Sequence, residues 1–415
     1  MLQTVGIIAE YNPFHNGHQW QLEAAKKQSG CPFSIGVMSG HFVQRGEPAF
    51  FDKWKRAEMA VRGGVDLMIE LPTVFALRSA QYFGTGGIRL LNSLGIVSHV
   101  CFGAEHADLT KLKKIATATR DSQILADMHL RLQTGSTYAA ALGYAVEKNY
   151  HISADILNSP NNILAIEYLR AIEKFAPDLL PIAVTRQQSH YNDLTMTAPF
   201  ASATAIRNAL LNNRSITDEI RSAMPTMTAE MIKQLFAEQR GPVTFSNFSS
   251  IILAQLRTAT LEKLEQLPSV SEGLHYKLRE SALAATNIDQ LITFLKSKRY
   301  PYTRLQRIIT HSLLGTTQSQ LAVFDESGPL YARVLAFNQK GRLLLKQMTQ
   351  YSTIPIITKT THFLSSKERD HHHLTPLQKM LSIDTVASDI YSLGMPSSNW
   401  NRGAWDFRHP PLYIP

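Results

Sequence analysis

Cysteine is scarce in this sequence. Its 415 residues include only Cys31 and Cys101, which form no C-x-x-C pair, and this excludes a disulfide framework and favours a reducing compartment. Long apolar runs are also missing, because no uninterrupted stretch approaches the roughly 18 residues of a membrane span. The first residues lack the basic start and cleavage pattern of a secretory signal. We therefore expect a cytoplasmic protein with no membrane partner.

Acidic residues are few in the last part of the chain. The formal net charge is +9 and the sequence pI is about 9.4. Residues 291–415 contain 15 Lys and Arg against 7 Asp and Glu, so most of the positive surplus lies there. Clustered positive charge is typical of a protein with a polyanionic partner, although basic proteins without such a partner are common.

Short apolar runs alternate with segments of helical periodicity over the first half of the chain. The runs predict strands over residues 5–9, 33–38, 65–71, 96–102 and 179–184. This alternation predicts an α/β fold with a Rossmann-like parallel sheet and helices on both faces. The 44% hydrophobic content is enough for a sizeable core.

The remaining chain predicts two further regions. Helical segments dominate after residue 212, for example over residues 229–236, 249–264 and 282–295. A small mixed region then has strand-like residues 334–337 and 354–358 around a helix over 341–348. We expect an α/β domain over residues 1–212, a helical domain over 213–318, and over 319–415 a compact α/β appendage that contacts RNA.

The segment 5–22, VGIIAEYNPFHNGHQWQL, predicts a strand, a tight loop and a helix. His15 and His18 are three residues apart where the helix begins, so the two imidazoles can share one face. A helix N-terminus favours an anion, and Gly17 allows a flat ligand to approach the backbone. The pattern indicates a site for a nucleotide phosphate.

The histidine pair is also compatible with a structural role or with a metal site. A sequence with 15 histidines can contain such a pair by chance, with only a structural role. A metal pair would need a third or fourth ligand, and no cluster of Cys or His lies nearby. The triplet His371, His372 and His373 follows Asp370 and indicates a polar loop rather than a metal site, because consecutive residues face different ways.

Several polar residues follow the predicted strands. His15 and His18 follow the first strand, the loop SGHFVQRG at 39–46 follows the second, Gly103 follows the fourth and Arg186 follows the fifth. Ligands of parallel sheets bind beyond the carboxyl ends of the strands, so we expect these residues to converge on one edge. Taken singly, Gly103 can be a turn glycine and Arg186 a surface arginine.

The segment 296–307, KSKRYPYTRLQR, interleaves cations with aromatic residues. Cations that reach phosphates and aromatic rings that stack on splayed bases are the combination used in single-stranded RNA recognition. The alternative is the end of an amphipathic helix whose long cations extend into solvent. The RNA-binding residues that we predict are Lys298, Arg299, Tyr300, Arg304 and Arg307.

Five runs of sequence together resemble one family. They are GIIAEYNPFHNGH, VMSGHFVQRGEPA, PNNILAIEYL, ASATAIR and RYPYTRLQRI, and their order and spacing are similar to those of the tRNA(Met) cytidine acetate ligases. That family lies in the nucleotidylyl-transferase superfamily with the HIGH motif. The resemblance covers the chain to about residue 360.

The resemblance implies an activity and its partners. Members join acetate to AMP from ATP and transfer the acetyl group to N4 of the wobble cytidine of elongator tRNA(Met). It implies that His15, His18 and Arg207 stabilise the departing pyrophosphate, together with Mg²⁺, and it gives no oligomeric state. The ATP contacts that we expect on this basis are Ile7, Ile8, Ala9, Glu10, Tyr11, Asn12, Pro13, Phe14, Asn16, Gly17, Gln19, Trp20, Gly103, Asn162, Arg186, Ser202 and Thr204.

Two rival functions remain at the level of sequence. An adenylyltransferase with the same fold would place AMP on a phosphate acceptor. A non-catalytic RNA-binding factor with a nucleotide-sensing domain would depend mainly on the basic C-terminal half. The H-x-G-H and SATAIR segments argue against the second rival.

Overall fold

The central feature of the fold is one mixed sheet. The computed structural model of the protein describes residues 2–136, 138–186, 199–297, 299–371 and 373–415. Within these residues the strands are β1 Thr4–Ala9, β2 Phe33–Ser39, β3 Leu67–Leu71, β4 His99–Ala104, β5 Leu180–Thr185, β6 Ala332–Phe337, β7 Ile356–Ile357 and β8 Leu412–Tyr413. The first five confirm the predicted apolar runs as strands.

The strand order places the carboxyl ends of the parallel strands together. The order is β5-β4-β1-β2-β3-β6-β7, with β8 beside β6. Strands β1 to β5 are parallel, whereas β6 runs antiparallel to β3. Val5 and Ile7 pack into one core cluster and Ile8 into another, because successive strand side chains point to opposite faces. The predicted α/β fold with a parallel-dominated sheet is confirmed.

Helices cover both faces of the parallel part of the sheet. Their bounds are α1 Asn16–Ser29, α2 Lys53–Arg62, α3 Thr73–Ala76, α4 Ala80–Ser93, α5 Leu109–Thr117, α6 Ser122–Gln133, α7 Tyr138–Tyr150, α8 Pro160–Phe175 and α9 Ala203–Asn213. Glycine lets α4 lie close to its neighbours, since a Cβ on Gly86 would come within 2.4 Å of Phe75 Cβ. In the described part of the chain, no helix is both long and apolar enough to cross a bilayer.

The next region is helical, as predicted, but two of the predicted helical segments are interrupted. They are α10 Asp218–Ser222, α11 Thr226–Ala237, α12 Ser249–Thr258, α13 Leu261–Glu265, α14 Leu274–Ala284, α15 Ile288–Leu295, α16 Tyr302–Leu314 and α17 Gln318–Ser327. A single helix over 249–264 is wrong, because the Thr260 side chain accepts a hydrogen bond from Lys263 N and begins α13. A single helix over 282–295 is wrong too, because Asn287 caps the start of α15.

The last region does not form an appendage of its own. Its helices are α18 Gln339–Tyr351, which includes the predicted helix over 341–348, and α19 Pro376–Ser392. Strand β6 pairs with β3, and β7 and β8 pair with β6, so all three extend the central sheet. The strands of the expected α/β appendage are therefore joined to the central sheet. The domain boundaries at 212 and 318 stay a prediction.

A buried cluster of charged side chains connects residues near the C-terminus with residues of α2 and β3. Lys53 Nζ on α2 lies 2.7 Å from Glu70 Oε1 on β3 and 2.7 Å from Asp406 Oδ1. Asp406 lies in the 3₁₀ turn Trp405–Phe407 and also pairs with Arg333 on β6. All four side chains are buried. Residues 405–407 are therefore part of the core around α2.

Candidate active site

A cleft of about 1100 Å³, measured out to its open mouth, lies at the carboxyl edge of the parallel strands. It is lined by residues that follow β1, β2, β4 and β5 and by the start of α9. This confirms the predicted convergence on one edge of the sheet. The predicted site residues that line it are Ile8, Ala9, Glu10, Tyr11, Asn12, His15, His18, Gly103, Arg186, Ser202, Thr204 and Arg207.

His15 and His18 form the start of α1. The His15 Nδ1 accepts a hydrogen bond from Gly17 N at 3.1 Å, and the His18 Nδ1 accepts one from His15 N at 3.3 Å. The two rings stack with centroids 3.7 Å apart. Gly17 is needed here because a Cβ would come within 3.0 Å of the His15 ring. The H-x-G-H segment is thus a reciprocal helix cap built from imidazoles.

The environment keeps both imidazoles neutral. Burial, and then the charges of Arg186 and Arg207, together lower the pKa of His15 to about 3. Burial, His15 and Arg186 hold the pKa of His18 well below its usual range. A backbone N–H is always a donor, so each Nδ1 is the unprotonated acceptor and each Nε2 carries the hydrogen. The pair therefore offers two neutral N–H donors to a ligand.

Arg207 lies above the β1 loop. It is on the first turns of α9, where Ser202 caps the helix by accepting a hydrogen bond from Ala205 N at 3.0 Å. Its Nη1 donates to Asn12 O at 3.0 Å, and its Nη2 donates to Thr204 Oγ1 at 3.3 Å. The guanidinium is thereby held beside the residues that precede His15.

A second cation enters from the neighbouring strand. Arg186 follows β5, and its backbone N donates to Ala104 O at 3.0 Å. A Cβ on Gly103 would come within 3.3 Å of Arg186 Cγ, so the glycine leaves room for the arginine stem. Arg186 and Arg207 both lower the pKa of His15 and both line the cleft, so two positive charges lie near the imidazole pair. Such a group of donors and cations suits a polyphosphate.

Glu10 brings a carboxylate to the cleft. Its Oε1 accepts a hydrogen bond from Gln44 N at 2.8 Å. Burial raises the pKa of Glu10, while Gln44 and the nearby Arg45 and Arg207 oppose that rise. The buried Arg56 donates both to Glu10 O and to Ser39 O, so one guanidinium fixes the ends of β1 and β2. The guanidinium of Arg56 thereby holds the start of the loop after β1 beside the start of the loop after β2.

Some predicted site residues do not line the cleft. Ile7 and Phe14 are buried in the core, and Asn16 donates to Pro199 O at 3.0 Å and to Ser222 O at 2.8 Å. Gly17 and Trp20 line a small adjoining cavity instead. Pro13 and Gln19 line neither cavity. Their predicted contacts with ATP stay a prediction.

Asn162 has a structural role in the fold. It is fully buried, its Oδ1 accepts a hydrogen bond from His106 N, and its Nδ2 donates to Ile156 O. Its neighbour Asn161 lines the cleft. Other lining residues that sequence reasoning did not select include Gln21, Gln44, Arg45, Glu47 and Tyr168. The rule on strand ends pointed to the loop that carries Gln44 and Arg45, but not to individual residues.

The predicted RNA-binding segment is not a uniform basic surface. Arg299 forms an exposed ion pair with Glu272 at 2.6 Å. Tyr300 is only 8% exposed and packs in the core, so the prediction that it stacks on bases is wrong. Arg304 donates to Ser269 O at 2.8 Å. Lys298 lies outside the described residues.

No group of three or more His, Cys, Asp or Glu within the described residues is placed to hold a metal ion. Of the histidine triplet, His371 and His373 are exposed, and His372 lies outside the described residues. The two carboxylates that line the cleft, Glu10 and Glu47, nevertheless suit a Mg²⁺ that arrives with ATP. Such an ion takes one or two protein carboxylates and keeps its other ligands from phosphate and water.

Known proteins are similar to this chain over nearly its whole length. A family profile described as "HIGH Nucleotidyl Transferase" matches residues 2–404. A tRNA(Met) cytidine acetate ligase from Thermoanaerobacter sp. (strain X514) is 39% identical over 414 residues, 99% of each chain. One from Caldanaerobacter subterraneus subsp. tengcongensis is 39% identical over 420 residues, 100% of each chain.

Solved structures give the same result. The crystal structure of apo Thermotoga maritima TmcAL, form I, has a TM-score of 0.91 at 30% sequence identity and 99% coverage of both chains. The structure of that protein bound with alpha-thio ATP has a TM-score of 0.89. Fold, motif and profile define the class as HIGH nucleotidyl transferases. The chain belongs to the tRNA(Met) cytidine acetate ligase family, as its five runs of sequence predict.

Proposed function

We propose that this protein is an ATP-dependent ligase that makes acetyladenylate from acetate and ATP. It then transfers the acetyl group to N4 of the wobble cytidine of elongator tRNA(Met), which gives N4-acetylcytidine. The observation that carries this proposal is the neutral His15–His18 pair, which faces a cleft with two arginines beside it. The names of the relatives support the identity of both substrates.

In the first step, an acetate oxygen attacks the α-phosphorus of ATP and the bond to the β-phosphate oxygen breaks. Negative charge grows on the departing pyrophosphate. The Nε2–H groups of His15 and His18 donate hydrogen bonds to it, while Arg186 and Arg207 supply the positive charge. Because the α1 cap fixes both rings before substrate arrives, little reorganisation is needed in the transition state.

In the second step, the cytosine amine attacks the acetyl carbonyl carbon, the bond from that carbon to the phosphate oxygen breaks, and AMP leaves. The nitrogen gives up one proton, which a phosphate oxygen of the departing AMP can accept. The mixed anhydride is already an activated donor, so no covalent enzyme intermediate is required. The protein has to hold the amine against the carbonyl and exclude water. The loops after β1 and β2, which Arg56 joins, line the cleft in which this step would take place.

Magnesium is the cofactor that we propose beside ATP. Glu10 and Glu47 are the residues that would hold it, and the ion would neutralise charge on the phosphates. A cytoplasmic location and the RNA-binding role of Arg299, Arg304 and Arg307 are also part of the proposal. The C-terminal surplus of positive charge supports that role.

The decisive experiment is mass spectrometry of tRNA nucleosides after incubation of the protein with tRNA, ATP and acetate. We expect N4-acetylcytidine only when all three are present, and pyrophosphate exchange into ATP that requires acetate but no RNA. Transfer of AMP to a phosphate acceptor without dependence on acetate would replace this proposal with an adenylyltransferase. A His15→Asn protein is the matched control, because asparagine can still cap α1 while the Nε2–H donor is missing from the cleft.

A further inference from the structure

The loop after β2 is docked on the helical region. Within the loop, Val43 N donates to Glu47 O and Gly46 N donates to Val43 O, both at 2.9 Å, so that the chain turns sharply. Thr310 Oγ1 on α16 donates to Gly46 O at 2.5 Å, and Gln306 Nε2 donates to Glu47 Oε1 at 2.9 Å. The loop 43–47 therefore lines the cleft with one side and contacts α16 with the other.

Gly46 makes this contact unusually close. Its φ is +97°, and a Cβ there would come within 2.4 Å of Arg307 N and 2.6 Å of Gln306 C. The two backbones thus touch without any intervening side chain. As a result, the distance between the backbone of Arg45 on the loop and the backbone of Arg307 on α16 is fixed by this contact.

Three arginines meet at this junction. Arg304 and Arg307 are three residues apart on α16, so they share one face of the helix. Burial, and then the charges of Arg304 and Arg45, together lower the pKa of Arg307 to about 10. All of the groups that shift the pKa of Arg307 therefore destabilise its charged form.

Nothing of opposite charge compensates Arg307 in the described part of the chain. Its Nη1 lies 3.5 Å from Gln44 O, and no ion pair with a carboxylate is formed there. Arg304 is held by neutral groups, since it donates to Ser269 O at 2.8 Å and to Ser271 Oγ at 3.0 Å. The nearby Glu47 is engaged by Gln306 and lies 4.0 Å from Arg207. A half-buried cation near two other cations is stabilised when an anion joins them.

We propose that Arg45, Arg304 and Arg307 form a phosphate subsite at the mouth of the cleft, and that it binds a backbone phosphate of the RNA. The proposal rests on the proposed function, for which this subsite positions the nucleotide to be acetylated. Arg45 lines the cleft, whereas Arg304 and Arg307 lie outside its lining. A polymer that continues out of the cleft can reach all three, while a triphosphate beside His15 occupies the interior. RNA is therefore a better match than ATP.

The test measures binding of an unmodified tRNA(Met) transcript to the full-length protein at several salt concentrations. Removal of one phosphate contact should weaken affinity roughly tenfold and flatten the log–log salt slope by about one unit. We expect this for Arg307→Gln, whereas Arg307→Lys should keep the slope because it keeps the charge. Arg342→Gln is the control: it removes an exposed arginine of α18 that forms no ion pair among the described residues.

A second arm distinguishes the source of the phosphate. ATP affinity is measured without RNA in the same variants. An Arg307→Gln protein that loses ATP affinity but binds RNA with the wild-type slope would assign the phosphate to the nucleotide and overturn the proposal. An Arg307→Gln protein with wild-type affinity for both ATP and RNA, and with the wild-type salt slope for RNA, would overturn it as well.

Two further measurements keep the outcome clear. If Arg307→Gln does not fold, as judged by its melting temperature, the partly exposed Arg304→Gln must show the same loss of slope, and a wild-type slope refutes the subsite. RNA binding is measured without catalysis. If the wild-type protein never forms N4-acetylcytidine but Arg307→Gln still flattens the salt slope of RNA binding, the subsite would be supported and the proposed function rejected.

Discussion

Replacement of His15 separates the structural and chemical roles of the imidazole pair. In His15→Ala, α1 loses the acceptor for Gly17 N as well as the Nε2–H donor. In His15→Asn, the side-chain oxygen can still accept that hydrogen bond, because asparagine is among the best helix-capping residues. Asparagine is shorter, however, and leaves the Nε2–H donor missing from the cleft. Both variants should lose catalysis, and only the alanine variant should also lose stability.

The size of each effect follows from the interaction that is lost. Loss of one preorganised donor to developing charge typically lowers the rate about 100- to 1000-fold. Loss of a helix cap costs about 1 kcal/mol. We therefore expect kcat/KM for acetate-dependent pyrophosphate exchange to fall at least about 100-fold in both variants. The unfolding free energy of His15→Ala should be about 1 kcal/mol below that of His15→Asn.

Exchange kinetics and urea unfolding on the same preparations test this reasoning. The two variants must show nearly equal losses of rate with different stabilities. A His15→Asn protein within a few-fold of the wild-type rate would refute the role of the imidazole as a donor and leave it as a helix cap alone. If the two rates instead differed in proportion to stability, the loss in His15→Ala would reflect misfolding.

Three further predictions concern charge and packing. The pKa of His15 is about 3 in the folded state against an ordinary 6.5, so its contribution to the unfolding free energy is present above pH 6.5 and is lost as pH falls towards 3. In His15→Asn, the unfolding free energy should therefore fall less steeply between pH 6.5 and pH 3. The rate of pyrophosphate exchange in the wild-type protein should not rise as pH falls through 6.5. Lys53→Met removes one of the two buried cations that pair with Glu70 and Asp406 and leaves Arg333 as the other, so denaturant titration should show a loss of about 3–5 kcal/mol, and a loss below about 1 kcal/mol would contradict this. Gly46→Ala should lower the unfolding free energy by about 1–3 kcal/mol and also weaken tRNA affinity, because φ at this position is +97° and Arg307 N leaves no space for a Cβ. An unchanged melting temperature and unchanged RNA binding would argue against a rigid junction.

Sequence was sufficient for the features that follow local rules. The parallel strands are short apolar runs that end at polar or glycine-containing loops, so their positions were predictable to within about three residues. His15 and His18 were predictable because their spacing and the preceding strand define a helix N-terminus. The rule on strand ends then brought Gly103 and Arg186 to the same edge.

Features that depend on distant contacts were not predictable. Asn161 and Asn162 are adjacent at the start of α8, and which of them faces the cleft depends on how that helix packs. Tyr300 precedes α16 and turns into the core, although its neighbours in sequence are basic. Arg56 is buried, against the usual preference of charged residues for the surface, because backbone carbonyls at two strand ends accept its donors. A single sequence contains no signal for such partners.

The ion pair between Lys53 and Asp406 has a consequence for the order in which the protein can fold. Its two residues are separated by 353 positions, so a ribosome makes nearly the whole chain after Lys53 before this second buried counter-ion exists. Until then, the packing of α2 against the sheet would enclose charge that lacks one of its partners. We expect nascent chains that stop before residue 405 to remain sensitive to protease around α2, even though every strand from β1 to β7 has already been made. Completion of the nucleotide-binding half would thus be a late event in synthesis, unlike the usual order in which N-terminal parts fold first.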